Sequence, residues 1–185
     1  MLRAAGVPHE AVAPGVDEDE VRAALAGDGE VSAERVADSL AEHKALRISL
    51  RFPDALVLGA DQVLALADGG MMEKPANLIE AAEQLRRLRG AMHRLISAAV
   101  LAQGGVPVWR TYDVASLTMR AFGDTFLERY LSIAGANVLG SVGGYHIEGL
   151  GAQLFDHVEG DHFTVRGLPL LPVLAELRAR GALAV

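Results

Sequence analysis

The chain has 185 residues, 51% of them hydrophobic and 22% charged, with a formal net charge of -7 and no cysteine. That length suits one domain, the composition excludes a disordered chain, and the acidity excludes a general nucleic-acid binder, which works by neutralising many phosphates. Without cysteine there is no disulfide framework and no thiolate metal site. No apolar run is long enough to cross a bilayer and no basic-then-apolar leader opens the chain, so the expectation is a cytoplasmic protein with no membrane partner.

Taken in chain order, residues 15–30 are acidic and glycine-containing and read as a loop, with Asp17-Glu18-Asp19-Glu20 followed by Gly27-Asp28-Gly29. Ser32 then predicts a helix N-cap, with Glu34 in the positive first turn and the helix running to about residue 51. Val36, Ala37, Leu40, Ala41 and Ile48 make its apolar stripe, and Lys44 falls on that stripe. A lysine there either snorkels to the edge of the interface or points into a cleft beneath the helix.

Residues 55–59 read as a short buried strand ending in Gly59-Ala60-Asp61-Gln62, with 63–66 extended before a hairpin-like turn at Asp68-Gly69-Gly70. Strand ends are where open α/β sheets place ligands; an aspartate that caps the next turn is the other reading of Asp61. Pro75 biases Lys74 to an extended backbone. Asn77 and Glu80 predict a capped helix over 78–89, with Ala81, Ala82, Leu85 and Leu88 facing the core and Gly90 as its stop.

A buried strand follows at 95–102, an extended arm or hairpin partner at 106–119, and a helix from about 125 to 134 capped by Asp124. Five glycines crowd 137–151 around Tyr145-His146-Ile147-Glu148, which calls for tight turns or close backbone approach. A terminal helix begins after Gly167-Leu168-Pro169-Leu170. Strands and helices in this order predict an α/β protein with a mixed sheet.

Of the 17 basic residues only Lys44 and Lys74 are lysine. A coding bias toward arginine explains the excess, and under such a bias lysine persists where a compact point charge is needed. His93 and His146 read as hydrogen-bonded structural histidines, and no histidine spacing suggests zinc.

Several of these stretches together resemble the Maf family of nucleoside triphosphate pyrophosphatases. They are Ala13-Pro14 with Asp17-Glu18, Leu40-Ala41-Glu42-His43-Lys44-Ala45, Gly59-Ala60-Asp61-Gln62-Val63 and Glu73-Lys74-Pro75. Leu88-Arg89-Gly90 with His93, Gly143-Gly144-Tyr145-His146-Ile147-Glu148-Gly149 and Gly167-Leu168-Pro169-Leu170 complete the ordered set. The resemblance implies one Maf-like domain over 1–185, an elongated two-lobed α/β fold related to the inosine-triphosphate pyrophosphatases, with a nucleotide cleft between the lobes. It implies hydrolysis of a nucleoside triphosphate to monophosphate and pyrophosphate with a divalent metal, magnesium or manganese, and leaves a homodimer open.

In that reading Asp61 is the general base or the holder of the metal, and Lys44 and Lys74 bring point charges to the phosphates. Gln62 and Glu148 match the branch that acts on 7-methyl-GTP, where Glu148 would accept from a guanine edge and Gln62 would contact the base or orient Glu148. Glu148 as a turn cap and Gln62 as a solvated strand end are the plainer readings. Asp17 and Glu18 are metal ligands or a charged loop, and the loop is preferred.

The resemblance also implies an opening strand and a Ser-x-Ser-x-x-Arg phosphate loop. Here Met1-Leu2-Arg3-Ala4-Ala5-Gly6 matches the helix after that loop, with Arg3 inside it. The intact remainder favours a chain begun downstream of its natural start. The alternative is a non-catalytic nucleotide-binding or division-regulating relative without that loop.

Overall fold

Five strands form one sheet in the computed structural model, which describes residues 1–27 and 31–184. They are β1 (Val57–Leu66), β2 (Met71–Met72), β3 (Met92–Gln103), β4 (Val106–Met119) and β5 (Phe155–Glu159), in the order β2-β1-β3-β4-β5. β2 pairs antiparallel with β1 across the Asp68-Gly69-Gly70 turn, where the Leu66 N–H donates to the Gly70 carbonyl at 2.8 Å. β3 and β4 are joined by Gly104-Gly105, both at positive φ, so this pair is antiparallel too. β5 pairs antiparallel with the far end of β4.

The helices are α1 (Glu18–Ala26), α2 (Ala33–Ser49), α3 (Leu78–Leu88), α4 (Asp124–Ala134), α5 (His162–Val165) and α6 (Leu170–Ala179). The α/β expectation is met, and the expected caps hold at two of them. The Ser32 side chain accepts from the Arg35 N–H, and Asn77 accepts from the Ile79 and Glu80 N–H groups. Glu80 reaches back to the Ala76 N–H at 2.9 Å.

Four expectations change. Residues 18–26 of the supposed loop are α1, because Asp17 caps the Glu20 N–H and three acidic residues face the positive helix end before an alanine-rich stretch. Asp28 and Gly29 lie outside the described residues. The two apolar runs around Asp61 are one ten-residue strand, so Asp61 and Gln62 sit mid-strand and not at a strand end. Gly123 occupies the cap of α4; Asp124 is its first residue and instead receives Arg89 at 2.9 Å. β5 and α5 have no counterpart in the sequence reading. β5 is exposed along nearly its whole length and so lacks the alternation that marks a strand.

The chain divides into two compact units. One comprises Met1–Gln62, Ile96–Asp113 and His162–Val185, the other Val63–Leu95 and Val114–Asp161. In the first, Val7, Ala99, Leu101, Leu168, Leu170, Val173 and Leu177 form a core cluster with Met1 and Leu2 packed on it. α2 is tied to β4 by Arg110, which reaches Asp38 at 2.6 Å and Glu42 at 2.9 Å.

In the second unit the glycine-rich segment folds as short 3-10 turns at Gly135–Gly140, Val142–Gly144 and Leu150–Leu154. Gly143 is at φ 77°, and a Cβ there would lie 2.7 Å from Leu64. The segment is held by the Tyr130 hydroxyl on the Gly144 carbonyl at 3.0 Å and by His93, whose Nε2 meets the Tyr145 hydroxyl at 2.6 Å.

His93 is fully buried, with its Nδ1 making no hydrogen bond among the described residues, and burial lowers its pKa from 6.5 to about 4. The unfolded chain therefore takes up a proton at this position before the folded one does, and stability falls as pH drops from 6.5 to 4. Full protonation of the unfolded histidine costs the fold about 3 kcal/mol by pH 4. Urea midpoints measured across that range should lose about one proton's worth of slope in His93→Gln; an unchanged slope would contradict the neutral buried histidine.

Candidate functional site

α2 lies close over β1 because Gly59 has no side chain. A Cβ at Gly59 would come within 2.2 Å of the Ala41 carbonyl oxygen and 2.6 Å of the Ala45 nitrogen. Those residues flank Lys44, so the close approach sets how far its ammonium must reach. Lys44 Nζ donates to Asp61 Oδ1 at 2.5 Å and pairs with Glu18 Oε1 at 2.6 Å. Asp17, by capping α1, makes Glu18 its first residue. One ammonium thus joins α2 to the middle of β1 and the start of α1, all in the first unit.

Gly59→Ala is expected to force α2 off β1 at a cost of about 3 kcal/mol, as overpacking does. That corresponds to a fall in Tm of about 6–12 °C for a chain of this size. A thermal melt shifted by less than 2 °C would show that the packing relaxes freely, contrary to the fixed backbone contacts.

The side chain of Asp61 is 8% exposed and that of Lys44 17%. Burial is the largest influence on the Asp61 carboxyl and pushes its pKa above the usual aspartate value, against the opposing pull of Lys44. For Lys44 burial is again the largest single influence and pulls downward, but the bonds to Asp61 and Glu18 together outweigh it and raise the pKa above 10.5. Asp61 Oδ2 is buried and has no hydrogen-bond partner among the described residues. An unpartnered carboxylate oxygen beside a second carboxylate is the kind of acceptor a cation satisfies.

Lys74 is exposed at the turn before α3 and makes no ion pair among the described residues. Glu148 is exposed in the turn between the second and third 3-10 segments. Both belong to the second unit, whereas Lys44, Asp61 and Gln62 belong to the first. His146 is structural, its Nε2 meeting the Asn137 carbonyl at 3.0 Å. Gln62 is not the solvated strand end of the plainer reading. Its amide nitrogen donates inward to Ser97 Oγ at 2.9 Å and to the Thr164 carbonyl at 2.9 Å, with the Val165 carbonyl at 3.2 Å.

The Maf family profile, described as Maf-like protein, matches residues 1–180. The chain belongs to the Maf family. It is 48% identical over 181 residues to the nucleoside triphosphate pyrophosphatase of Sphingopyxis alaskensis, covering 98% of this chain and 91% of that one. It is 50% identical over 183 residues to the 7-methyl-GTP pyrophosphatase of Mesorhizobium japonicum, covering 99% and 91%. The 7-methyl-GTP pyrophosphatase of Rhizobium meliloti is 44% identical over 183 residues, with the same two coverages.

Within this Maf-family chain, Glu18 is the residue that sequence reasoning set aside and the geometry brings to Lys44 and Asp61. The signal was present: Asp17 with Glu20 three residues on, followed by Val-Arg-Ala-Ala-Leu-Ala, is a helix start. Among the described residues no three histidine or acidic side chains converge. Asp61 and Glu18 therefore offer two hard oxygen ligands, which suits an ion of the magnesium type that keeps its waters and shares substrate phosphates. No helix among the described residues is long and apolar enough to cross a membrane.

Proposed function

We propose that this chain hydrolyses a nucleoside triphosphate, with 7-methyl-GTP as its preferred substrate, to the monophosphate and pyrophosphate. The observation that carries the reading is the buried Asp61 carboxylate, one oxygen on Lys44 and the other unpartnered among the described residues, in a chain about half identical to pyrophosphatases of that kind.

The chemistry follows from the charges. Asp61 has one oxygen to offer, either to a proton of the attacking water or to a metal that activates that water, and its charge is balanced by Lys44 at hydrogen-bond distance. Lys44 and Arg22 stand against two carboxylates, so this group has no net positive charge to offer a triphosphate by itself. A divalent cation, magnesium or manganese, held by Asp61 and Glu18 would make the group positive and supply Lewis-acid charge to the phosphate oxygens. With the carboxylates so engaged, the Lys44 ammonium is available to donate to phosphate oxygens, and Lys74 supplies a second point charge.

Glu148 is assigned to the base, where a carboxylate accepts from the donor edge of guanine and favours the positive charge that N7-methylation adds. Relatives bearing both names leave the base preference as the finer point.

Purified protein with 7-methyl-GTP, GTP, dTTP and UTP, in magnesium, in manganese and in chelator, tests the reading by kcat/KM. Metal-dependent turnover led by 7-methyl-GTP is expected. Faster turnover of dTTP or UTP would overturn the assignment of Glu148. Binding without turnover would favour the non-catalytic alternative.

A further inference from the structure

Gln62 lies at one end of a hydrogen-bonded chain that no part of the proposed chemistry uses. Its Nε2 has three acceptors: Ser97 Oγ on β3 and the carbonyl oxygens of Thr164 and Val165 on α5. The Ser97 hydroxyl donates in turn to the Thr164 carbonyl at 2.8 Å, so its proton is already committed. The Thr164 hydroxyl donates to Asp113 Oδ2 on β4 at 2.7 Å. Ser97 and Thr164 are fully buried. All of these residues belong to the first unit.

The chain leaves Gln62 one orientation. Two of the three groups facing its nitrogen are backbone carbonyls, which can only accept, and the third has spent its proton. Turning the amide over would set Oε1 against three acceptors in a dry environment, which the low dielectric penalises. The amide oxygen takes no hydrogen bond among the described residues, so it is the polar atom this side chain has to offer.

We propose that Ser97, Thr164 and Asp113 are positioning residues that lock the Gln62 amide with nitrogen inward, making it an acceptor-only contact for the substrate. This rests on the reading above that Gln62, next to Asp61, meets the nucleobase. An acceptor fixed in this way matches a base edge that carries a ring N–H, as guanine does at N1 and uracil and thymine do at N3. It opposes one that carries a ring acceptor, as cytosine does at N3. An unlocked amide turns to suit either. The lock thus contributes selectivity between base classes and leaves the phosphate chemistry alone.

Two measurements test the proposal. Ser97→Ala, which removes one acceptor and frees the Thr164 carbonyl that the serine hydroxyl holds, should shrink the ratio of kcat/KM for 7-methyl-GTP over CTP by about tenfold, the equivalent of one hydrogen bond. It should change kcat for 7-methyl-GTP by less than about threefold, and Ser97→Thr, which restores the hydroxyl, should restore the ratio. Separately, the side-chain amide protons of Gln62 in the wild-type protein, assigned by their loss in Gln62→Met, should exchange slowly with solvent and faster in Ser97→Ala. Solvent-rate exchange in the wild type, or an unchanged ratio in a folded Ser97→Ala protein, would overturn the lock. Absence of turnover by the wild type would refute the functional reading, while amide exchange would still decide the orientation.

Discussion

Asp61→Asn should lower kcat for the preferred nucleotide by about a thousandfold or more while leaving the fold in place. Asparagine keeps the size of the side chain and an oxygen for the Lys44 ammonium, so the contact between α2 and β1 survives. It has no lone pair basic enough to accept a proton from water, and general-base action contributes about 10²–10⁴-fold. It also withdraws one of the two carboxylates available to a metal, a further loss of several kcal/mol in charge stabilisation. Pyrophosphate release, with a thermal melt beside it, checks both halves. A variant retaining more than a tenth of the wild-type rate would remove Asp61 from the chemistry.

Lys44→Met is expected to lower stability about as much as Gly59→Ala does. Methionine fills a similar volume on the buried stripe of α2 but takes from the buried Asp61 carboxylate the ammonium it is hydrogen-bonded to. Breaking a buried pair from one side costs about 3 kcal/mol, at the low end because Glu18 is 38% exposed and partly solvated. A Tm lower by about 6–12 °C follows for a chain this long.

The pH dependence has a definite sign. The folded pKa of Asp61 is raised by burial and by Glu18, and lowered by Lys44 and Arg22. Removing Lys44 raises it further. The penalty is then full above the folded pKa and vanishes as pH falls toward the unfolded value of about 3.9. Lys44 in the wild type contributes its stability in full below 10.5 and loses it as pH rises through its higher folded pKa. The deficit of the variant should therefore be greatest around neutrality and shrink in acid. A deficit that is the same at pH 4 and pH 7 would mean that lost packing, and not the stranded carboxylate, is responsible.

What the sequence made legible followed from local rules. Ser32 and Asn77 announced their helices because capping depends on a few adjacent residues. The apolar stripe of α2 placed Lys44 on a buried face, and the scarcity of lysine marked it further. Gly59-Ala60-Asp61-Gln62 drew attention through small residues, but their reason is helix packing over the strand, not strand termination. That distinction needs Ala41 and Ala45, which lie in another element.

The parts that were not legible depend on distant partners. Glu18 becomes a site residue only because α1 sets it beside Lys44, 26 positions along the chain. The acidic run around it looked like a solvated loop for want of a hydrophobic period, as Val21 is its one buried residue. Ser97, Thr164 and Asp113 carry no local signal at all. A buried serine in an apolar strand and a threonine in a four-residue helix gain meaning only when β1, β3, β4 and α5 bring them to Gln62.

The products formed from 7-methyl-GTP test the account most directly. Wild-type protein with manganese should convert it to 7-methyl-GMP and pyrophosphate in equal amounts, as resolved by phosphorus NMR of the reaction, and Asp61→Asn should leave the triphosphate intact. Formation of the diphosphate with orthophosphate, or an unchanged triphosphate that is nonetheless bound by folded wild-type protein, would contradict it.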